Sequence, residues 1–338
     1  MRLAFLLLAS TLLLLACGED RAEPIANPSS SSSGAGGSPE CGPSSGAIEL
    51  DTGTGTLHGT VTLPEGCGPF PTVLMHVGSG PTDRDGNQTG IVNDSLKLLA
   101  EALASRGLAS VRYDKRGIAQ SAPAGLPSQA DYRFHHFVDD LEGWLAELDG
   151  DERFGRLTVA GHSEGSLIAI LASQAAPTDA LVSLAGPGRP AGDVLREQLA
   201  AQLSGTLLDE ANAIIDALEA GQTVDQVPSE LLGIFHPSVQ PYLISWFQYD
   251  PAEALAQLSG PVQIIQGTTD IQVQVADAEL LAAAYPTAEL HIIENMCHVL
   301  KEATLDSTAQ NQAYTDPSLP IMAELVDALA PFALGDTP

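Results

Sequence analysis

Short apolar runs alternate with amphipathic segments along most of this 338-residue chain. The apolar runs are TVLMHVG (72–78), LASVRYD (108–114), RLTVAG (156–161), ALVSLAG (180–186), PVQIIQG (261–267) and AELHIIE (288–294). Each has the length and composition of a buried strand, whereas segments such as DSLKLLAEALASRG (94–107) show helical spacing of apolar residues. Buried strands that alternate with helices predict an α/β fold, in which a mostly parallel sheet is covered by helices on both faces.

Two segments depart from this alternation. Residues 47–63 carry two short alternating runs around a Gly/Thr turn, which predicts a β-hairpin. Residues 190–258 contain helical patterns such as DEANAIIDALEAG but no clear strand. We therefore expect a helical cap, inserted between two strands and lying over one edge of the sheet.

The N-terminus has the features of an export signal. Arg2 precedes an apolar run, Leu3–Leu15, that is too short to span a bilayer, so residues 1–16 are predicted to be a signal peptide. Cys17 follows directly, and this arrangement resembles a bacterial lipoprotein signal. The resemblance implies that Cys17 carries lipid and anchors the exported protein to a membrane of the cell envelope. Gly18 is not the Asp that retains lipoproteins in the inner membrane, which favours the outer membrane. The alternative is an ordinary signal peptide in which Cys17 is coincidental.

Residues 17–46 are rich in Ser, Gly, Pro and Ala, and we expect a flexible tether there. The segment from 47 to 338 has the length of one α/β domain with an insertion. A formal net charge of −29 argues against a nucleic-acid partner, because such proteins need a basic surface.

Four cysteines have to be placed. Cys17 is assigned to the lipid. Cys41 and Cys67 flank the segment that opens the domain, and in an exported protein these two cysteines can form a disulfide. Cys297 is then left over. Neither a CxxC nor an HExxH motif is present, so the sequence predicts no metal site.

The pattern G-x-S-x-G occurs twice, at residues 42–46 and 161–165. Ser44 lies in the predicted tether, where nothing would hold a strained turn. Ser163 follows a buried strand and precedes a helix, which is the context that a serine nucleophile of this kind requires. Ser163 is therefore the predicted nucleophile.

A serine nucleophile needs a general base and an acid that orients the base. His298, in NMCHVLK, follows the last predicted strand, and Asp270, in QGTTDIQV, follows the strand before it. Loops at the carboxyl ends of parallel strands meet at one edge of the sheet, where α/β active sites assemble. The sequence thus predicts a catalytic triad of Ser163, Asp270 and His298.

An oxyanion hole requires two N–H donors. The first predicted donor is the N–H of Glu164, at the start of a helix. The second comes from the loop GSGPTDRDGN (78–87), with Ser79 preferred over Gly78. A plain Gly/Pro turn is the alternative for this loop. Four charged residues in or near it are predicted to shape it by ion pairing rather than to touch substrate: Asp83, Arg84, Asp85 and Arg116.

These motifs together resemble the α/β-hydrolase superfamily over residues 47–338. GSGPTDRDGN, YDKRGIAQS (113–121), GHSEG, GTTDIQV and NMCHVLK resemble the loops of a bacterial group described as carboxylesterases, close to serine aminopeptidase-like hydrolases. The resemblance implies hydrolysis of small-molecule esters through an acyl-enzyme, without a metal or an organic cofactor.

Two other functions stay open at this point. An aminopeptidase or other amidase would use the same triad and would need acids in the cap to bind the substrate amine. Candidate acids are Asp209, Glu210, Asp216 and Glu219. The second alternative is an inert, lipid-tethered binding protein that has kept a hydrolase fold.

Overall fold

The structure is a computed structural model that describes residues 42–336. The predicted signal peptide, Cys17, Cys41 and most of the predicted tether lie outside the described residues. Within residues 42–336, no helix is both long enough and apolar enough to cross a bilayer.

Eight strands form one sheet with the spatial order β1-β2-β4-β3-β5-β6-β7-β8. The strands are β1 (Ser44–Asp51), β2 (Thr56–Leu63), β3 (Phe70–His76), β4 (Ala109–Tyr113), β5 (Phe154–His162), β6 (Ala180–Leu184), β7 (Val262–Gly267) and β8 (Glu289–Ile293). β2 runs antiparallel to β1 and β4, and the other neighbouring strands are parallel. The predicted mostly parallel sheet is confirmed.

The α-helices are α1 (Ser95–Ala104), α2 (Phe134–Asp149), α3 (Glu164–Ala172), α4 (Ala191–Ala200), α5 (Thr206–Glu219), α6 (Leu232–Phe235), α7 (Gln240–Trp246), α8 (Pro251–Leu255), α9 (Val275–Ala284), α10 (Ser307–Thr315) and α11 (Ala323–Leu334). Short 3₁₀ turns add to these at 119–124, 129–131 and 229–231. The predicted cap segment, all of it described, holds α4 to α8 and no strand.

Two apolar clusters lie on opposite faces of the sheet. α1 and α11 pack on one face, while α2, α3, α9 and the cap helices belong to the other cluster. β3 contributes side chains to both clusters, because successive side chains of a strand point to opposite faces of the sheet. Val73 and Met75 join the first cluster, and Leu74 between them joins the second. The predicted helical layers on both faces are therefore confirmed.

The first strand begins earlier than the sequence indicates. β1 starts at Ser44, which pairs with Leu63, so residues 44–46 are in the sheet rather than in the tether that was predicted to extend to 46. These residues join the sheet because β2 extends to Leu63, so its backbone can form hydrogen bonds with residues 44–46. The composition of residues 44–46 alone does not reveal this pairing. Ser44 is exposed on an edge strand, and no helix follows that strand directly.

Candidate active site

Ser163 forms a one-residue turn between a strand and a helix. β5 ends at His162 and α3 begins at Glu164, and Ser163 has φ 57° and ψ −125°. A positive φ is strained for a residue with a Cβ and persists only where the surroundings enforce it. One such restraint is the Ser163 N–H, which donates to the Leu184 carbonyl oxygen at the end of β6 (2.9 Å).

The two glycines of GHSEG are required by close backbone contacts. A Cβ on Gly161 would lie 2.1 Å from the Gly165 carbonyl oxygen, and a Cβ on Gly165 would lie 2.6 Å from the Val77 carbonyl oxygen. The first contact is between the strand and the helix on either side of Ser163, and the second is with the residue after β3. Side chains at these positions would push the turn out of the sheet.

We expect Gly161→Ala to destabilise the fold by about 3 kcal/mol or more, because the new methyl group meets rigid backbone. Thermal unfolding measures this as a fall in Tm. Gly233→Ala is the matched control, since Gly233 is exposed in α6 and an added Cβ meets no atom within 4 Å. Equal Tm values for the two variants would contradict the tight turn described above.

His298 and Asp270 form a buried pair at the carboxyl edge of the sheet. His298 Nδ1 lies 2.8 Å from Asp270 Oδ2, and the two side chains are 5% and 0% exposed. A carboxylate only accepts, so Nδ1 carries the proton and Nε2 is free to act as a base.

Asp270 is held in its ionised form by its surroundings. Its Oδ1 accepts the N–H groups of Gln272 (2.8 Å) and Val273 (3.0 Å), and its Oδ2 also accepts from Gln266 Nε2 (3.1 Å). Burial alone would raise the pKa of Asp270, but attraction to His298, the hydrogen bond with His298 and the two backbone hydrogen bonds outweigh burial and lower the pKa.

Ser163 and His298 line the same cleft, which has a volume of about 80 Å³. The lining also includes Val77, Gly78, Ser79, Thr82, Gln88, Ile91, Asn93, Leu96, His162, Gln272, Val299 and Tyr314. The structure thus brings the three predicted triad residues into one site. Within residues 42–336 the Ser163 hydroxyl makes no hydrogen bond to a protein group, so it is not yet engaged by His298. Catalytic hydrogen bonds of this kind are often long before substrate binds.

The predicted oxyanion donors lie next to Ser163 in the chain or on the loop beside it. Glu164 is the first residue of α3, where N–H groups have no partner within the helix. Gly78 and Ser79 line the cleft, and a Cβ built on Gly78 would lie 3.1 Å from Ser163 Cβ. In the described part of the chain, neither the Ser79 nor the Glu164 N–H donates to another protein group, so both can bind a substrate oxygen.

His162 has a role at the site that the sequence did not reveal. Its Nε2 lies 2.8 Å from the His298 carbonyl oxygen, and the two imidazole rings lie 4.8 Å apart. Burial, and then the neighbouring His298, lower the pKa of His162 to about 4, so the ring is neutral and Nε2–H donates to the carbonyl. His162 thereby joins the turn at Ser163 to the loop that carries His298.

Lys115 is a second residue that the sequence did not single out. Its ammonium donates to the carbonyl oxygens of Gly78 (2.6 Å) and Gly80 (2.8 Å), on either side of Ser79. Lys115 follows β4 by two residues, so its contact with the loop after β3 depends on the pairing of these two strands.

The charged residues around this loop are paired with one another, as predicted. The ion pairs are Arg84–Asp114 (2.6 Å), Arg112–Asp85 (3.0 Å) and Arg116–Asp140. Asp83 builds the turn itself, because its Oδ1 accepts the N–H groups of Asp85 and Asn87 (both 2.9 Å). These contacts agree with the interpretation for Asp83, Arg84 and Asp85, whereas Arg116 bonds to Asp140, Thr54 and Ala124 rather than to the loop.

Comparisons with known proteins show what this chain resembles. The family model described as serine aminopeptidase, S33, matches residues 93–229. Esterase EstD of Thermotoga maritima is 30% identical over 234 residues, which are 69% of this chain and 54% of that protein. The chain thus spans about half the length of this relative.

Solved structures resemble the whole described fold. Est1E of Butyrivibrio proteoclasticus, solved with ferulic acid bound, has a TM-score of 0.59 at 15% identity and covers 86% of this chain and 98% of its own. The proline iminopeptidase of Mycobacterium smegmatis has a TM-score of 0.54 at 15% identity, with the same coverage of 86% and 98%. The chain has the α/β-hydrolase fold. The cleft at Ser163 lies where the carboxyl ends of β3, β5, β7 and β8 meet.

The acids proposed for amine binding lie elsewhere in the structure. Asp216 and Glu219 both pair with Arg196 within the cap (2.6 and 2.7 Å), and Asp209 and Glu210 are exposed. As far as residues 42–336 show, none of the residues that line the cleft is acidic.

Two of the four cysteines lie within the described residues. Cys67 is disulfide-bonded, while Cys41, its predicted partner, lies outside them. Cys297 is a buried free thiol next to His298, as expected for the cysteine left over.

Proposed function

We propose that this chain is a serine hydrolase that cleaves carboxylic esters through an acyl-enzyme. The observation that carries the proposal is the strained Ser163 turn in one cleft with the His298–Asp270 pair. The 30% identity to esterase EstD supports ester hydrolysis, although the chain covers only 54% of that protein.

In the proposed mechanism, His298 Nε2 takes the proton of Ser163 as Ser163 Oγ attacks the acyl carbon. Asp270 keeps the proton on His298 Nδ1 and stabilises the imidazolium that forms. His298 then gives its proton to the leaving alcohol, and the acyl group remains on Ser163. A water molecule activated by His298 releases the acid.

The N–H groups of Glu164 and Ser79 are proposed to bind the oxyanion during both steps. The N-terminus of α3 adds a partial positive charge at the same place. Such donors act on charge that develops only in the transition state, so they raise kcat more than they change KM.

An aminopeptidase with the same triad is the second candidate, because the matching family model is described as serine aminopeptidase. A free substrate amine needs an acidic partner, and the acids of α5 pair with Arg196 or face solvent. The cleft therefore favours an uncharged acyl group over an aminoacyl group.

A substrate panel distinguishes the two activities. We expect p-nitrophenyl acetate and butyrate to give the highest kcat/KM, because a cleft of about 80 Å³ accommodates a short acyl chain. p-Nitrophenyl octanoate should be slower by about tenfold or more. Alanine p-nitroanilide should be a poor substrate, and a preference for it would support the aminopeptidase instead. A protein that turns over none of these esters and anilides would support the inert binding protein.

We also propose that the protein is exported and anchored through lipid on Cys17. The disulfide at Cys67 fits an oxidising compartment. Metabolic labelling with a fatty acid should mark the wild-type protein but not Cys17→Ala. Labelling of both proteins, or of neither, would contradict the anchor.

A further inference from the structure

Lys115 is a buried lysine beside the active-site cleft. Only 5% of the residue is exposed, although lysine is rarely buried in proteins. Taking an ammonium group out of water is costly unless hydrogen bonds and an opposite charge compensate for the loss. The hydrogen bonds to Gly78 and Gly80 are two such compensations.

The first of these bonds fixes the orientation of the peptide that contains the Ser79 N–H. In a trans peptide the C=O and N–H groups point in opposite directions. Because the Gly78 carbonyl points to Lys115, the Ser79 N–H must point away from Lys115, and Ser79 lines the cleft. Gly80 has φ +74°, so this part of the chain has conformational freedom that the second bond restricts.

The opposite charge comes from Glu164, the residue after the predicted nucleophile. Glu164 is 3% exposed, and its carboxylate accepts a hydrogen bond from the Tyr242 hydroxyl of cap helix α7. Burial lowers the pKa of Lys115 to about 8 and raises the pKa of Glu164 to about 7, while the attraction between the two charges opposes both shifts. The Phe137 ring, with its centroid 5.7 Å from the Lys115 ammonium, adds a cation–π contact.

The two predicted oxyanion donors are thus both linked to a pair of buried groups that attract each other, Lys115 and Glu164. Lys115 binds the peptide that carries the Ser79 N–H, and Glu164 supplies its own backbone N–H as well as the countercharge. We propose that Lys115 is a positioning residue, which directs the Ser79 N–H into the oxyanion hole from behind the loop. This inference rests on the proposed ester hydrolysis at Ser163.

Lys115→Met tests the inference, because Met has a similar length and lacks both the charge and the donors. We expect kcat for p-nitrophenyl acetate to fall by about 10²-fold, with KM within about threefold, as for the loss of one oxyanion donor. Lys97→Met is the control, since Lys97 is a half-exposed lysine on α1 and pairs only with Asp94. It should keep wild-type kcat and KM.

A transition-state analogue separates positioning from a general structural defect. A trifluoromethyl ketone binds when Ser163 Oγ adds to its carbonyl carbon, so that the carbonyl oxygen becomes an oxyanion and the serine proton passes to His298. Lys115→Met should weaken the binding of this inhibitor by about the same factor as it lowers kcat. The matching methyl ketone, without fluorine, forms little adduct with Ser163, so its affinity should not change. An equal loss of affinity for both ketones would contradict a positioning role.

A measurement on the wild-type protein covers the case in which Lys115→Met does not fold. The chain has three lysines, Lys97, Lys115 and Lys301, so ¹⁵N-lysine labelling gives three side-chain signals, assigned through Lys97→Arg and Lys301→Arg. Formation of the trifluoromethyl ketone adduct should shift the Lys115 Nζ signal and leave that of Lys97 unchanged. An unshifted Lys115 signal would contradict the inference.

The two proposals fail in different ways. If wild-type protein hydrolyses the ester and Lys115→Met does so with unchanged kcat, only the role of Lys115 is wrong. If folded wild-type protein neither hydrolyses esters nor binds the trifluoromethyl ketone, ester hydrolysis itself is wrong.

Discussion

Replacing Ser163 with alanine is expected to lower kcat for p-nitrophenyl acetate by about 10⁵-fold to 10⁶-fold, because the proposed acyl-enzyme forms on the Ser163 hydroxyl. Ser163 is placed at a turn with φ 57° whose N–H is bonded to the Leu184 carbonyl, and the alanine methyl group occupies the position of Cβ. The fold should therefore persist, with Tm within a few degrees of wild type. Steady-state kinetics and thermal unfolding measure the two quantities.

Ser44→Ala is the matched control, since Ser44 is the central residue of the second G-x-S-x-G match. It lies exposed on edge strand β1, far in the sheet order from β5. This variant should keep full activity. A Ser163→Ala protein that retains more than about 1% of wild-type kcat would show that another nucleophile does the chemistry.

The second large effect is expected for Asp270→Asn, which should lower kcat by about 10³-fold to 10⁴-fold. The amide can donate to His298 Nδ1, which places the imidazole proton on Nε2, where it cannot accept from Ser163. The amide also loses the charge that stabilises the imidazolium. Kinetics with p-nitrophenyl acetate measure the loss.

Acid unfolding gives an independent check on Asp270. The pKa of Asp270 is lower in the folded protein than in the unfolded chain, where it is about 3.9. The ionised carboxylate therefore stabilises the fold above about pH 3.9, and this stability is lost as the pH falls through the pKa of the folded state. Asp270→Asn should therefore lose less stability than wild type on going below about pH 4. Equal losses would contradict the environment described for this carboxylate.

Asp277→Asn serves as the control for removing a buried carboxylate. Asp277 is fully buried at the start of α9 and pairs with Arg189 (2.7 Å) rather than with a residue of the cleft. It should lower Tm and leave kcat nearly unchanged. An Asp270→Asn protein with kcat within tenfold of wild type would contradict the proposed role of Asp270 in orienting His298.

Much of this site follows from local sequence. The turn at Ser163 needs a strand before it, a helix after it and two glycines, and all of these are visible in RLTVAGHSEGSLIAI. The positions of Asp270 and His298 follow from the topology, because loops after parallel strands meet at one edge of the sheet. The length and composition of the apolar runs, and the helical spacing of apolar residues between them, were enough to predict these strands and helices.

Other features depend on tertiary contacts that the local sequence does not encode. Helix α10 carries the polar sequence STAQNQAYT, and only its packing reveals that Gln310, Ala313 and Tyr314 are buried. The roles of Lys115 and His162 come from contacts with residues 35 and more positions away. A lysine after a strand predicts a solvated charge by default, and only the pairing of β3 with β4 brings Lys115 to Gly78.

Active-site labelling tests the central claim most directly. Folded wild-type protein, treated with a fluorophosphonate and analysed by intact mass and peptide mapping, should carry one adduct, on Ser163. Heat-denatured protein should carry none, because activation requires the assembled His298–Asp270 pair. Folded protein that stays unlabelled, or that is labelled at another residue, would contradict the assignment of Ser163 as the nucleophile.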